Sequence, residues 1–287
     1  MAKRCLIMAG GTGGHVIPAL SVARELKTKG YHVHWLGSIK GIENDLVPDA
    51  GYTLHRISVT GLRGNGLLKT LLAPLQIMRA LWQTFKVYRQ VKPVMALGMG
   101  GFASGPGGLM AFLLRVPLVI HEQNAVAGMS NKWLAKCANK VLAAFPSAFE
   151  NGKSEVVGNP VRQSVAKVAA RHASSPINVL VVGGSLGAQV LNSTLPSTFK
   201  ELSQITEVNV WHQTGKGHLD GVTQAYKAHA FSSDLVKAAE FIDDMDAAYS
   251  WADIVICRAG ALTVSEIAAA GKMALFVPFP HAVDDHQ

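Results

Sequence analysis

The sequence is short of the features that mark secreted, disulfide-stapled or nucleic-acid-binding chains. Its 287 residues contain three cysteines, Cys5, Cys137 and Cys257, far apart and without CxxC or metal-ligand spacing. That excludes a disulfide framework, and the apolar text around each predicts buried free thiols in a reducing compartment. No apolar run approaches the ~20 residues of a spanning helix, so any membrane contact is expected to be peripheral. Met1-Ala2-Lys3-Arg4 leads into only five apolar residues, which does not predict a signal peptide. The net charge is +8, yet no run of five or six basic residues occurs. This speaks against a nucleic-acid arm and for smaller anionic partners, a nucleotide or a phospholipid surface. With 49% hydrophobic and 16% charged residues, the chain can fill large cores and is not disordered.

What is present is alternation. Strand-like runs at 4–9, 32–37, 53–57, 94–97, 118–121 and 141–143 are separated by helix-like patterns at 17–29, 67–90, 105–114 and 130–137. The pattern predicts βαβ units and a parallel sheet. After Phe145 the text is irregular as far as Pro176, with 156–160 readable as a short strand and turn. Alternation then resumes, with strands at 177–182, 207–213, 236–241, 253–257 and 274–278. Helices are expected from the glycine turn after 182 to 202, and at 217–228, 245–251 and 262–270. Leu6-Ile7-Met8-Ala9-Gly10-Gly11-Thr12 is echoed by Val179-Leu180-Val181-Val182-Gly183-Gly184-Ser185 at a constant offset of 173 positions. The expected fold class is therefore α/β, with two doubly wound, Rossmann-like domains facing each other across a cleft. The expected boundaries are an N-terminal domain over 1–150, a linker over 151–176 and a C-terminal domain over 177–287. Ligands are expected at the carboxyl ends of the strands. The text stops at Gln287 just past a strand, so the second domain is expected to be incomplete.

Six stretches can carry chemistry or binding. Gly10-Gly11-Thr12-Gly13-Gly14-His15 joins a strand to a helix, an arrangement that aims N–H groups at an anion. It is not a dinucleotide fingerprint, because Val16 stands where the third glycine would fall; a plain tight turn is the alternative. His15 at the helix start is the best candidate general base, with helix capping or a phosphate contact as alternatives. The glycine-dense stretch 98–108 allows close backbone approach to a ligand, or close helix packing at Gly107 and Gly108. His121-Glu122-Gln123-Asn124 puts four polar groups on the same sheet edge as Gly10–His15, without a second cluster to complete a metal site.

In the second half, 258–266 turns at Gly260 into a helix. Its first N–H groups suit a phosphate, helped by the charge of Arg258, and Glu266 suits the vicinal hydroxyls of a ribose. The competing reading of Glu266 is a capping box with Thr263. Residues 240–245 offer a hydrophobic residue and backbone groups to a flat base, or simply an Asp helix cap. Finally, the apolar positions 68, 71, 72, 75, 78 and 82 recur at helical spacing beside Lys69, Arg79, Lys86 and Arg89. That is a core-facing stripe or an interfacial patch for anionic lipid.

Together these segments resemble the peptidoglycan N-acetylglucosaminyltransferases, a family of GT-B glycosyltransferases. The resemblance lies in GGTGGHVIPAL (10–20), GLRG (61–64), LGMGGFASGPGG (97–108), HEQNAVAG (121–128), NKWLAK (131–136), VGNPVR (157–162), VVGGSLGA (181–188), WHQTGKG (211–217), EFIDDM (240–245) and CRAGALTVSEIAAAG (257–271). It implies transfer of N-acetylglucosamine from UDP-GlcNAc to the muramoyl 4-hydroxyl of lipid I, giving lipid II by an inverting displacement that uses no metal or other cofactor.

By that resemblance the donor site comprises Thr12, Gly13, Gly14, Asn124, Arg162, Ser185, Ile242, Ala261, Leu262, Thr263, Val264, Ser265, Glu266 and Gln287. Ser185 would meet phosphate, Ile242 the uracil and Glu266 the ribose. His15 is the implied base, and Gly100, Gly101, Ser104, His121 and Glu122 are the acceptor candidates. Leu71, Leu75, Met78 and Trp82 fall where the family carries a membrane patch. The implied partners are UDP-GlcNAc, lipid I, an anionic membrane surface at the cytoplasmic face of the bacterial inner membrane, and other cell-wall synthesis proteins. Nucleic acid is not among them. Phe102 stands where some members have Tyr, Ala259 replaces a Ser of some members, and about the last fifth of a typical member is missing. Another GT-B sugar transferase, a UDP-sugar epimerase, or a truncated scaffold without catalysis are the competing functions.

Overall fold

The computed structural model describes residues 3–59, 73–149, 152, 154–168, 175–184 and 186–279. The chain divides between Pro160 and Val161 into two units. The first runs β1 (Arg4–Met8), α1 (Gly13–Thr28), β2 (His32–Ser38), α2 (Glu43–Asp49), β3 (Thr53–Ile57), α3 (Ala73–Val91), β4 (Met95–Gly98), α4 (Ser104–Leu113), β5 (Leu118–Glu122), α5 (Met129–Leu134), β6 (Lys140–Ala143) and β7 (Glu155–Val156). Its strands form one parallel seven-stranded sheet in the order β3-β2-β1-β4-β5-β6-β7.

The second unit runs β8 (Ile177–Val182), α6 (Gln189–Leu202), β9 (Val208–Gln213), α7 (Leu219–Ala228), β10 (Val236–Ala239), α8 (Met245–Trp251), β11 (Ile254–Cys257), α9 (Ala261–Ala269) and β12 (Met273–Phe276). Its parallel five-stranded sheet has the order β10-β9-β8-β11-β12. Each unit is doubly wound.

The apolar runs become central strands because helices cover both faces of each sheet. Along β1 the period of two sends Leu6 and Met8 into one core with Leu36, Tyr88 and Ile120. Cys5 and Ile7 enter the opposite core with Trp35, Val16 and Ala19. In β8, Val179 and Val181 face one side with Phe199, and Leu180 and Val182 the other with Tyr249. Gly107 lets α4 lie against β1, since a Cβ there would overlap the Met8 sulfur. Cys5 and Cys257 are buried free thiols, as expected, whereas Cys137 is only half-buried.

Two features depart from the pattern in the text. Helix α2 was not anticipated, because seven residues containing Pro48 carry almost no periodic signal. Within 151–176, the described residues belong to one unit or the other: β7 pairs with β6, and Val165 is buried in the second core. Helix α3 turns Ala80, Val87, Tyr88 and Val91 inward, leaving Leu75, Met78 and Trp82 exposed. Residues 67–72, including Leu71, lie outside the described residues.

A histidine is built into the second core. His212 on β9 is fully buried. Asn192 Nδ2 donates to the Thr214 carbonyl at 2.9 Å, so Asn192 Oδ1 faces His212 Nε2 at 3.1 Å and must accept from it. His212 Nδ1 then accepts from the Tyr226 hydroxyl at 2.9 Å. Burial pushes this imidazole from 6.5 down to about 4. Between those values the unfolded chain takes up a proton that the folded chain refuses, so stability falls as pH drops. The loss amounts to about 3 kcal/mol across the window. A His212→Asn variant, less stable at neutral pH, is expected to show a flatter loss from pH 6.5 to 4 in urea unfolding. An unchanged slope would contradict this assignment.

Candidate active site

In each sheet the winding direction reverses beside the first strand, between β1 and β4 and between β8 and β11. Loops leaving such neighbours splay apart and leave room for a ligand at the carboxyl edge. In the first unit these are the Gly10–Gly14 turn and the segment after β4. Gly11 has φ +92° and Gly101 φ +80°, and a Cβ on Gly101 would overlap the Gly10 carbonyl, so only glycine lets the turns touch.

The Gly10–Gly11 turn is fixed by a residue the text did not single out. Glu43, at the start of α2, is fully buried. Its Oε2 accepts from the Gly11 N–H at 2.9 Å. Its Oε1 accepts from the Ser38 N–H at 3.0 Å and lies 2.7 Å from the Ser38 hydroxyl. The signal for it lies in the glycines around it: a Cβ at Gly10, Gly37 or Gly41 would collide with its side chain.

Helix α1 begins with Thr12 as N-cap in extended conformation and without a side-chain cap bond. Thr12 and Gly14 are exposed, Gly13 and His15 half-buried. The first-turn N–H groups are those a helix leaves without an intrahelical acceptor. The His15 ring lies against Gly100, where a Cβ would crowd it. Its Nδ1 is 3.1 Å from Gln123 Oε1.

Three of the acceptor candidates are buried and bonded within their own unit. Ser104 is fully buried, its hydroxyl 2.8 Å from the Met8 carbonyl and 2.7 Å from that of Gly100. His121 is buried, with Nε2 2.9 Å from the Gly158 carbonyl. Desolvation lowers its pKa, against the opposing pull of the Gly158 bond and Glu122. Glu122 is buried and takes four donors: Asn124 N and Nδ2 on Oε1, Gly128 N and Asn131 Nδ2 on Oε2, all within 3.0 Å. These side chains brace the loops and are turned away from solvent. Gly100 and Gly101 remain at the edge, and the Asn124 amide nitrogen is held by Glu122.

In the second unit, α9 starts from Gly260 as N-cap, so Thr263 lies inside the first turn and the capping box does not form. Glu266 is instead buried between Arg162 Nη2 on Oε1 at 3.3 Å and the Tyr249 hydroxyl on Oε2 at 3.2 Å. Desolvation raises the Glu266 pKa while Arg162 pulls it down. The Arg162 Nε is buried without a hydrogen-bond partner. Leu262 and Thr263 bring first-turn N–H groups, while the Ser265 hydroxyl bonds back to the Ala261 carbonyl at 2.8 Å. Val264 already donates to Gly260.

Ile242 has its side chain in the core, so this position offers a base its main chain. Asp244 caps α8 through the Ala247 N–H at 2.9 Å. Arg258 is held by the carbonyls of Val277 and Pro278, at 3.3 and 2.8 Å, and so is tied to the end of β12. Ser185 and Gln287 lie outside the described residues, as does 61–64. Among the described residues no group of three His, Cys, Asp or Glu side chains gathers to hold a metal ion.

Two doubly wound parallel-sheet units with glycine turns at their switch points are the pair of units that GT-B glycosyltransferases share. The glycosyltransferase family 28 N-terminal domain matches residues 5–143 and the family 28 C-terminal domain matches 178–287. The chain belongs to glycosyltransferase family 28. It is 61% identical over 287 residues to a UDP-N-acetylglucosamine--N-acetylmuramyl-(pentapeptide) pyrophosphoryl-undecaprenol N-acetylglucosamine transferase of Pseudoalteromonas translucida, covering 100% of this chain and 80% of that protein. The protein of the same name from Colwellia psychrerythraea is 53% identical, over 100% of this chain and 76% of its own length. The crystal structure of Acinetobacter baumannii MurG matches with a TM-score of 0.81 and 43% identity, over 99% of this chain and 81% of that one.

The bracing role of Glu122 can be measured. Glu122→Gln sets an amide NH2 against N–H donors, and the first unit is expected to lose about 2 kcal/mol in urea unfolding. An unshifted midpoint would show that the 122–131 turn does not depend on the carboxylate.

Proposed function

We propose that this chain transfers N-acetylglucosamine from UDP-GlcNAc to the muramoyl 4-hydroxyl of lipid I, forming lipid II in peptidoglycan synthesis. The observation that carries the reading is the likeness to the curated transferases, which runs through both units. The second unit takes the donor. Helix α9 turns its N-terminus and the N–H groups of Leu262 and Thr263 to the diphosphate. Glu266 receives the ribose hydroxyls on the lone pairs left by Arg162 and Tyr249. The main chain at Ile242 meets the uracil.

The first unit supplies the base. His15 accepts the proton of the 4-hydroxyl as that oxygen bonds to the anomeric carbon. The bond from carbon to the diphosphate oxygen breaks, its electron pair leaves with UDP, and the centre inverts. Charge growing on the leaving diphosphate is stabilised by fixed N–H dipoles. The Gly10–Gly14 turn and Gly100–Gly101 lie toward the acceptor.

The acceptor is a lipid, and the same reading puts the first unit on the anionic cytoplasmic face of the bacterial inner membrane. No helix among the described residues is long and apolar enough to cross a membrane. On α3, Leu75, Met78 and Trp82 are 64%, 66% and 58% exposed, with Arg79, Lys86 and Arg89 beside them. Lys86 lies 3.5 Å over the Trp82 ring. An apolar row edged by cations suits an acidic lipid surface. Other cell-wall synthesis proteins are the remaining expected partners.

UDP release with a lipid I analogue tests the reaction. His15→Ala is expected to cut kcat by about 10² to 10³ while donor affinity stays within about twofold; equal turnover would remove His15 as base. Replacing Leu75, Met78 and Trp82 by Gln is expected to reduce binding to anionic vesicles with Tm unchanged, because these side chains are exposed. A melted protein would place the row in the core.

A further inference from the structure

We propose that Gln123 and His121 are positioning residues that hold His15 in the one neutral tautomer whose Nε2 can accept a proton. The inference rests on the reading of His15 as the base and adds how that base is kept ready.

The chain of bonds is fixed by groups that can act in only one sense. His121 Nε2 faces the Gly158 carbonyl at 2.9 Å. A carbonyl oxygen only accepts, so His121 carries its proton on Nε2 and presents a bare Nδ1. Gln123 Nε2 lies 3.2 Å from that Nδ1 and 3.3 Å from the His121 carbonyl. Both are acceptors, which settles the amide orientation: the NH2 group faces His121 and Oε1 faces outward.

Oε1 is 3.1 Å from His15 Nδ1. It too can only accept, so neutral His15 is protonated on Nδ1 and its lone pair is on Nε2. His15 Nε2 has no hydrogen-bond partner among the described residues. Gly100 leaves room for the ring to take this position, because a Cβ there would run into Nδ1.

Burial makes the device stiff. Gln123 and His121 are 1% and 3% exposed, so water does not compete for their bonds. Reversing the amide would set its NH2 against His15 and its oxygen against two acceptors, leaving buried polar groups unpaired. A second ring nitrogen bonded to a fixed partner is the usual way a protein selects which imidazole nitrogen reacts.

The direct readout is the ring nitrogen spectrum of His15 in protein labelled with 15N-histidine, at a pH where the ring is neutral, with the signals assigned by their loss in His15→Ala. The expected result is a protonated Nδ1 and a bare Nε2. In Gln123→Leu the Nε2-protonated form is expected to appear, and kcat to fall about 10²-fold with the donor KM within about twofold. Gln123→Glu, held as the neutral acid by burial, can donate its O–H to His121 Nδ1 and keep its C=O oxygen at His15 Nδ1, and is expected to retain the tautomer and recover most of that kcat. It also carries the test should the Leu variant fold poorly.

A wild-type His15 protonated on Nε2 would overturn the proposal, as would a Leu variant with unchanged tautomer and kcat. A merely structural role for Gln123 would lower Tm without moving the tautomer, which also counts against it. Full activity in His15→Ala alongside the expected tautomer would remove the base and leave the bond chain. A reversed tautomer with an inactive His15→Ala would do the opposite.

Discussion

A carboxylate removed from water, with the Gly11 N–H donating to it, is the constraint on which the first unit's edge depends. A buried charge without partners is very costly, and Glu43 avoids that cost by accepting from Gly11, the Ser38 N–H and the Ser38 hydroxyl. Those donors come from the turn after β1 and the last residue of β2, so one side chain ties two neighbouring strand ends to α2. The tie sets where Thr12 caps α1 and hence where His15 stands. It also explains glycine at 10, 37 and 41, where a Cβ would displace the carboxylate.

The parts of the fold that could be read from the text were those where local sequence and burial say the same thing. Parallel strands covered on both faces appear as unbroken apolar runs, and β1, β8 and β11 fall where such runs lie. The glycine turns were visible for the same reason, since positive φ and close backbone approach select one residue type. What could not be read were long-range choices among equivalent residues. Helix α3 has apolar side chains on two faces. Only packing against the sheet decides that Ala80, Val87, Tyr88 and Val91 are core while Leu75, Met78 and Trp82 face out.

Polar residues near the sheet edge show what the text does not carry. His121, Glu122 and Ser104 sit where a ligand contact is expected, yet each is buried and bonded within its own unit. A sequence lists donors and acceptors but not how many partners the fold already provides. Glu266 illustrates the converse. Its spacing from Thr263 imitates a capping box, but the helix starts at Gly260 and the carboxylate is met by Arg162 and Tyr249 from elsewhere in the unit.

The two units contain the same buried device put to different ends. In each, a histidine at the end of a strand is locked to an amide whose orientation a backbone carbonyl decides. In the second, His212 uses both ring nitrogens, on Asn192 and on Tyr226, and nothing is left over for chemistry. Burial keeps it neutral, and its contribution is to stability. In the first, His121 is anchored at Gly158, but the chain continues through Gln123 to a ring that is only half-buried. The polarity set by a carbonyl inside the fold is thereby carried to the sheet edge and ends on a nitrogen with a lone pair. A closed chain of bonds makes a core, whereas the same chain with one open end carries the arrangement proposed for His15 as a base.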